Sequence, residues 1–367
     1  MNNVFKKIIV FSLLLLSIFV ISCKNNDNNY VDLDTLIPTV YNGETIPIYY
    51  IHTEKQTKYL SGDYKLASVY GKGQEELGKS NGITIDFSSI VDDANSYDFE
   101  LSTDEAFSNK KVYTVNEKKI TLYNLMIKTV YYYRVIRGSI VSETKAFRVD
   151  DEKLRNLNIE GITNCRDIGG YKVNGVRTNQ GMIYRTSKFN ADESTESLIT
   201  EAGIKSLVED LNIKTEIDLR KTEENEYGGI TSSPLGASVN YIHIPMVSGG
   251  NIILLNPDKI KDLFVILGDE NNYPLVFHCS IGTDRTGMVS FLLLNILGVE
   301  KDDVYFDYLF SNFGVIGKMR TASIIDDYYS VIDSAPGKNY QEKTINYLVG
   351  IGVNRSDIDN FIGIMTK

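Results

Sequence analysis

Two rhythms of apolar and polar residues divide this chain. From about Pro38 to Val149 the apolar runs are short and alternating, interrupted by Gly, Asn and Asp, as at Ser61-Gly62-Asp63 and Asn81-Gly82. Period-two alternation between such breaks predicts strands, so this stretch is expected to be all-β. Past the charged junction Asp150-Asp151-Glu152-Lys153 the rhythm changes. Leu198, Ile199, Ala202, Leu207 and Val208 recur at helical spacing within residues 193–209, while 215–219, 241–245 and 276–279 read as short buried strands. Met288 to Leu297 is an apolar helical run. Strands alternating with helices predict an α/β fold, a mostly parallel sheet covered by helices. The expected division is 1–22 as a targeting segment, 23–37 as a tether, 38–150 as the β domain and 151–367 as the α/β domain.

The strand ending near Cys279 meets the following helix in His278-Cys279-Ser280-Ile281-Gly282-Thr283-Asp284-Arg285-Thr286-Gly287. A cysteine followed five residues later by an arginine suits attack on a phosphate monoester. The substrate is a dianion, so the nucleophile must be a thiolate and positive charge must compensate. A helix N-terminus and a neighbouring cation favour the thiolate. The same free N–H groups cradle phosphate oxygens, here from Ser280, Ile281, Gly282, Thr283, Asp284 and Arg285. Gly282 lets the backbone turn tightly about the anion. Arg285 offers a planar fork that grips two oxygens, which Lys does not. Thr286 would place a hydroxyl near the sulfur, and His278 would hold the loop from behind. The plainer reading is a buried structural cysteine with a chance arginine, and the strand–loop–helix frame argues against it.

That loop resembles the signature of the cysteine-dependent protein tyrosine phosphatase superfamily. Other segments resemble a bacterial tyrosine phosphatase family within it, in that family's order: Asn164-Cys165-Arg166-Asp167-Ile168-Gly169-Gly170-Tyr171, Gly181 to Ser187, Ile217-Asp218-Leu219-Arg220 with Glu223 and Glu224, and Asp307-Tyr308-Leu309-Phe310-Ser311-Asn312. The resemblance runs from about residue 156 to the C-terminus. It implies a phosphatase of phosphotyrosine monoesters, or one of dual specificity, that works through a cysteinyl-phosphate, with Arg166 and Asp167 in support and no metal or organic cofactor. Leu122 to Val135 resembles a run found in fibronectin type III domains, which implies an Ig-like sandwich with Tyr131 as its corner tyrosine. Such a domain serves as a spacer or binds a protein or glycan.

The proton donor to the leaving oxygen is less plainly written. No Asp follows the strand at 241–245 closely; Asp258 is the nearest later one. In members of the resembling family with a similar loop, the loop aspartate is implicated as the acid, which points to Asp284. Asp218 is the second candidate, with a buried ion pair to Arg220 as its equally weighted structural alternative. Thr283 stands where the family often has Lys, which favours phosphotyrosine over heavily phosphorylated phosphoinositide or inositol-phosphate substrates. Arg166 and Arg185 would add positive charge at the mouth or pair with nearby acids. A third reading is a weakly active phospho-ligand-binding lipoprotein.

Composition narrows the setting. A net charge of −10 argues against nucleic acid as a partner. Lys6 and Lys7 precede an apolar run from Ile8 to Ile21, and Val20-Ile21-Ser22-Cys23 resembles a lipobox, with a polar tether following. This implies a lipid on Cys23 and anchorage to a bacterial envelope outside the cytoplasm, with an uncleaved membrane anchor as the alternative. Only Cys165 and Cys279 then remain, too few for a disulfide framework or a paired metal set. Cys165 reads as a small buried residue, with a reversible bridge to Cys279 as the other possibility.

Overall fold

The structure, a computed structural model, describes residues 40–41, 44–45, 47–190, 198–222 and 229–367. The targeting segment, Cys23, Glu223 and Glu224 lie outside the described residues.

The N-terminal region packs two sheets. The larger runs in the order Pro47–Ile48, Lys145–Val149, Thr129–Arg137, Tyr97–Ser102, Lys110–Val115, with Ile140–Val141 against the third; the smaller pairs Ile83–Asp86 with Lys119–Leu122. Alternation explains how they meet. Tyr131, Tyr133 and Val135 of one sheet and Ile83, Ile85, Ile120 and Leu122 of the other face a shared core with Phe99 and Phe147. Phe99 and Tyr133 stack at 5.2 Å between ring centres. The Tyr131 hydroxyl accepts the Met126 N–H at 2.8 Å, which ties the start of its strand to the preceding turn.

The expectation of strands throughout 38–149 is corrected between residues 53 and 70. Glu54–Leu60 is a helix, followed by a 3-10 turn at Tyr64–Leu66 and a short helix at Ala67–Tyr70. The Thr53 hydroxyl accepts the Gln56 N–H at 3.3 Å while Gln56 Oε1 accepts the Thr53 N–H at 3.0 Å, a reciprocal cap written in the sequence as Thr-x-x-Gln. The helix buries Tyr59 in the core of the α/β domain, with ring centres 5.1 Å from Phe306 and 5.3 Å from Phe313. Contacts also cross the boundary near residue 150. His52 Nε2 lies 2.9 Å from the Leu154 carbonyl, Asn156 donates to Gly78 O at 2.8 Å, and Arg155 donates to Leu125 O at 3.0 Å.

In the α/β half, a five-stranded sheet runs in the order Arg166–Asp167, Ile183–Thr186, Leu275–His278, Thr215–Asp218, Asn240–His243. The last four are parallel and the first is antiparallel to its neighbour. The mostly parallel sheet is thus present, with one antiparallel edge. Side chains alternate between two cores: Ile183, Leu275 and Phe277 face one side, Tyr184 and Val276 the other. The helix Asp284–Leu297 is buried from Arg285 onward, so it is the central helix of the larger core rather than an amphipathic cover. Each fully buried Leu in it contributes about 1.5–3 kcal/mol. Gly298 ends it in the left-handed conformation at φ 82°. The helix expected within 193–209 is described from residue 198: Thr200 caps Glu201–Lys205, and the turn widens over Ser206–Asp210. Among the described residues no helix is long and apolar enough to cross a membrane.

Candidate active site

The loop between Leu275–His278 and Asp284–Leu297 sits at the carboxyl end of the central strand, where open α/β sheets place ligands. Its carbonyls are all held from behind. His278 Nδ1 lies 3.1 Å from Cys279 O, Lys188 N donates to Ser280 O at 3.0 Å, and Asn164 Nδ2 donates to Ile281 O at 3.3 Å and Gly282 O at 2.8 Å. Arg185 Nη2 adds a second donor to Gly282 O at 2.8 Å. Peptide planarity then turns the N–H groups the other way, toward the hollow of the loop. Among the described residues, no carbonyl accepts the backbone N–H of Ser280, Ile281, Gly282 or Thr283. Gly282 has φ +68°, and a Cβ there would lie 2.4 Å from Thr186 O. The loop can close only with glycine at this point.

Five buried charges fasten this scaffold. Asp307, on the helix Lys301–Phe310, accepts Arg166 Nε at 2.8 Å and Arg185 Nη1. Burial alone would raise the Asp307 pKa, but the two guanidiniums outweigh it and hold the carboxyl below its ordinary range. Arg166 and Arg185 are thus ion-pair partners of one acid rather than cations at the mouth. Asp167 accepts Arg155 at 2.6 Å and the N–H groups of Gly169 and Gly181, each at 2.7 Å, so it locks the turn before the site.

His278 is fully buried and bridges Cys279 O to Glu216 Oε1, 2.9 Å from its Nε2. It sits behind the loop, with Glu216 as a partner no motif marked. Asp218 is also fully buried. Arg220 Nε reaches its Oδ1 at 2.9 Å, Arg220 Nη2 its Oδ2 at 2.6 Å, and the Tyr241 hydroxyl donates at 2.9 Å. Burial works to raise the Asp218 pKa, yet His278 and Arg220 prevail and hold it at about 2. The Asp218 carboxylate is thus committed to a buried ion pair with Arg220. The exposed Asp258 carboxylate pairs with Lys261 at 2.6 Å on the helix Pro257–Leu267.

Cys279 and its neighbours in the loop complete the site. Cys279 is buried and a free thiol. Arg285 is buried, with Nη1 3.4 Å from Leu219 O. The Thr286 hydroxyl is buried and finds no protein partner among the described residues. Such a group costs about 1–3 kcal/mol unless something occupies it. Thr283 turns its side chain inward, 3.3 Å from Asn164 Nδ2, so only its backbone can face a phosphate. The Asp284 carboxylate is part-exposed and held by both ends of Arg320, Nε at 2.8 Å and Nη2 at 2.7 Å. Cys165 packs on the Tyr184 and Val276 side of the sheet, while Cys279 belongs to the other core. Burial pushes the Cys165 thiol up to about 12 against the pull of Thr186 and Arg166. It is a core residue. Among the described residues no group of three His, Cys, Asp or Glu is placed to hold a metal.

Part of the chain is similar to known proteins. Residues 157–336, just under half of the chain, match a family model described as "Tyrosine phosphatase family". A Cupriavidus necator protein carrying a tyrosine-protein phosphatase name is 26% identical over 183 residues, 43% of this chain and 63% of that protein, so the chain spans under two thirds of its length. Among solved structures, P. aeruginosa TpbA is matched at 16% identity and TM-score 0.30, over 48% of this chain and 89% of that one. The core catalytic domain of the PP-IP phosphatase SIW14 from S. cerevisiae is matched at 16% identity and TM-score 0.29, over 41% and 83%. The segment 157–336 is thus similar to the tyrosine phosphatase family, and the loop at residues 278–287 lies within it.

Proposed function

We propose that this chain hydrolyses phosphotyrosine and related phosphate monoesters through a cysteinyl-phosphate. The observation that carries the reading is the loop itself: carbonyls fixed outward, N–H groups inward, around Cys279 with Arg285 at the helix start. The Cys279 thiolate attacks phosphorus as the bond to the leaving oxygen breaks. Arg285 and the loop N–H groups take up the charge on the equatorial oxygens. Asp284 passes a proton to the leaving oxygen, then takes one from the water that attacks phosphorus. The S–P bond breaks, phosphate leaves, and the Thr286 hydroxyl stabilises the returning thiolate. The inward-turned Thr283 adds no charge at the mouth, which supports simple monoesters over heavily phosphorylated inositides.

The setting is part of the same reading. Cys23 carries a lipid, and the chain acts at a bacterial envelope with its fibronectin type III-like β region as spacer or binding surface; the lipobox-like residues and the tether support this. The test is turnover of phosphotyrosine peptides beside phosphoserine peptides and phosphoinositides, on residues 24–367, reduced, with Cys279→Ser as control. Cys279-dependent release of phosphate, fastest from phosphotyrosine, is expected. Preference for inositides would replace the substrate, and tight phospho-ligand binding without turnover would replace the enzyme by a binder.

A further inference from the structure

Asp284 is not a free carboxylate on the first turn of its helix. Arg320, 36 residues further on, meets it with a two-pronged fork. The Tyr308 hydroxyl touches the same carboxylate at 3.4 Å. Arg320 lies in no recognised motif, yet its backbone is itself clamped: Asn312 Oδ1 accepts its N–H at 2.7 Å and Asn312 Nδ2 donates to its carbonyl at 2.9 Å. Its Nη1 donates to Lys318 O at 2.7 Å.

The loop bearing Arg320 is braced from the N-terminal region. Gly73 N donates to Asn312 O at 2.8 Å, Ile316 N to Gly73 O at 3.0 Å, and Leu77 N to Phe313 O at 2.6 Å. Gln74 Nε2 also reaches Gly317 O. Gly73 has φ +74°, and a Cβ there would fall 2.7 Å from Ile316, so the two segments fit by close approach of backbone. Val315 N is tied to the Thr163 hydroxyl at 3.0 Å.

We propose that Arg320 is a positioning residue for Asp284, holding its carboxylate at the mouth of the phosphate loop on a support that the N-terminal segment 71–78 completes. An isolated exposed ion pair would contribute little, but this one is bidentate, with both partners fixed by further contacts. A carboxylate free to rotate spends much of its time aimed away from the leaving oxygen. A positioned acid supplies roughly 10²–10⁴-fold in rate, and orientation is part of that factor. The inference rests on the proposed phosphatase reading with Asp284 as acid.

The experiment compares native protein, Arg320→Lys, Arg320→Met, Asp284→Asn and the Asp284→Asn/Arg320→Met pair on phenyl phosphate, a poor leaving group, and p-nitrophenyl phosphate, a good one. Arg320→Met should lower kcat on phenyl phosphate by roughly tenfold or more, with a much smaller loss on the nitrophenyl ester and KM little changed. Arg320→Lys should recover part of the loss. The double variant should be no slower than Asp284→Asn alone, because one residue acts through the other. Equal losses on both esters, or losses that multiply in the double variant, would assign Arg320 a merely structural role and overturn the proposal. Asp284→Asn with no leaving-group dependence would remove Asp284 as the acid, and the proposal with it. Turnover that survives Cys279→Ser would instead defeat the phosphatase reading.

Discussion

Asp307→Asn should be among the most damaging conservative changes in this chain. Asp307 is about 1% exposed and neutralises two guanidiniums, Arg166 and Arg185, which are equally buried. The amide keeps the shape and removes the charge. Two buried cations then face one another with no counter-ion, and breaking a single buried pair by removing one partner costs about 3–5 kcal/mol. The two pairs share one acid and need not add, so that range is the expected loss. Against a total stability of about 5–15 kcal/mol, it is a large fraction. The damage should also reach the phosphate loop, because Arg185 holds the Gly282 carbonyl. Its displacement by about 1 Å would slow turnover by up to ~10²-fold. Urea unfolding at neutral pH, followed by fluorescence, gives the first quantity, and initial rates at low temperature give the second. A loss below about 1 kcal/mol with unchanged turnover would refute the claim that this acid organises the site.

Other substitutions test other contacts. Asp218, held at about 2 against an ordinary 3.8, contributes stability that is present above pH 3.8 and lost as the pH falls toward 2. The shift is worth about 2–3 kcal/mol, so the stability gap between native protein and Asp218→Asn should narrow across that window; a gap independent of pH would contradict the ion-pair reading. Gly282→Ala should weaken vanadate binding at least ~10-fold, since it adds about 1–2 kcal/mol of left-handed strain to the clash with Thr186 O. Gly175→Ala, also at positive φ but with nothing within 4 Å of its Cβ, is the control and should leave binding unchanged. Tyr59→Ala should destabilise the catalytic half by about 3–5 kcal/mol in denaturant unfolding, although Tyr59 precedes most of the β region; a chain trimmed to 151–367 should lose stability for the same reason.

What the sequence revealed follows the range of the interactions involved. The phosphate loop, its strand and its helix are contiguous, so their spacing, glycine and arginine were readable directly. The parallel sheet followed from strands and helices in alternation, because each element's period is local. The helix at 54–60 does not show in the apolar rhythm although its Thr53–Gln56 cap is written in the sequence. Its apolar residues are few, and its stability comes from Phe306 and Phe313 far along the chain. Asn164, Asp307 and Asn312 stood inside recognised segments, but their tasks as loop clamp, counter-ion and loop anchor needed the tertiary fold. Glu216 and Arg320 carried no signal, since an acid on a strand and an arginine in a loop are common. Asp218 shows the converse: its motif is local, while its burial against Arg220 needed the tertiary fold.

The most direct test of the account is to look for the covalent intermediate. Native protein would be mixed with an aryl phosphate, quenched in acid within the first turnovers, digested and analysed by mass spectrometry. The account predicts one added phosphoryl group on the peptide containing Cys279, absent in Cys279→Ser and longer-lived in Asp284→Asn on a good leaving group. Full turnover with no phosphoryl group on that peptide, or with the group on another residue, would contradict it.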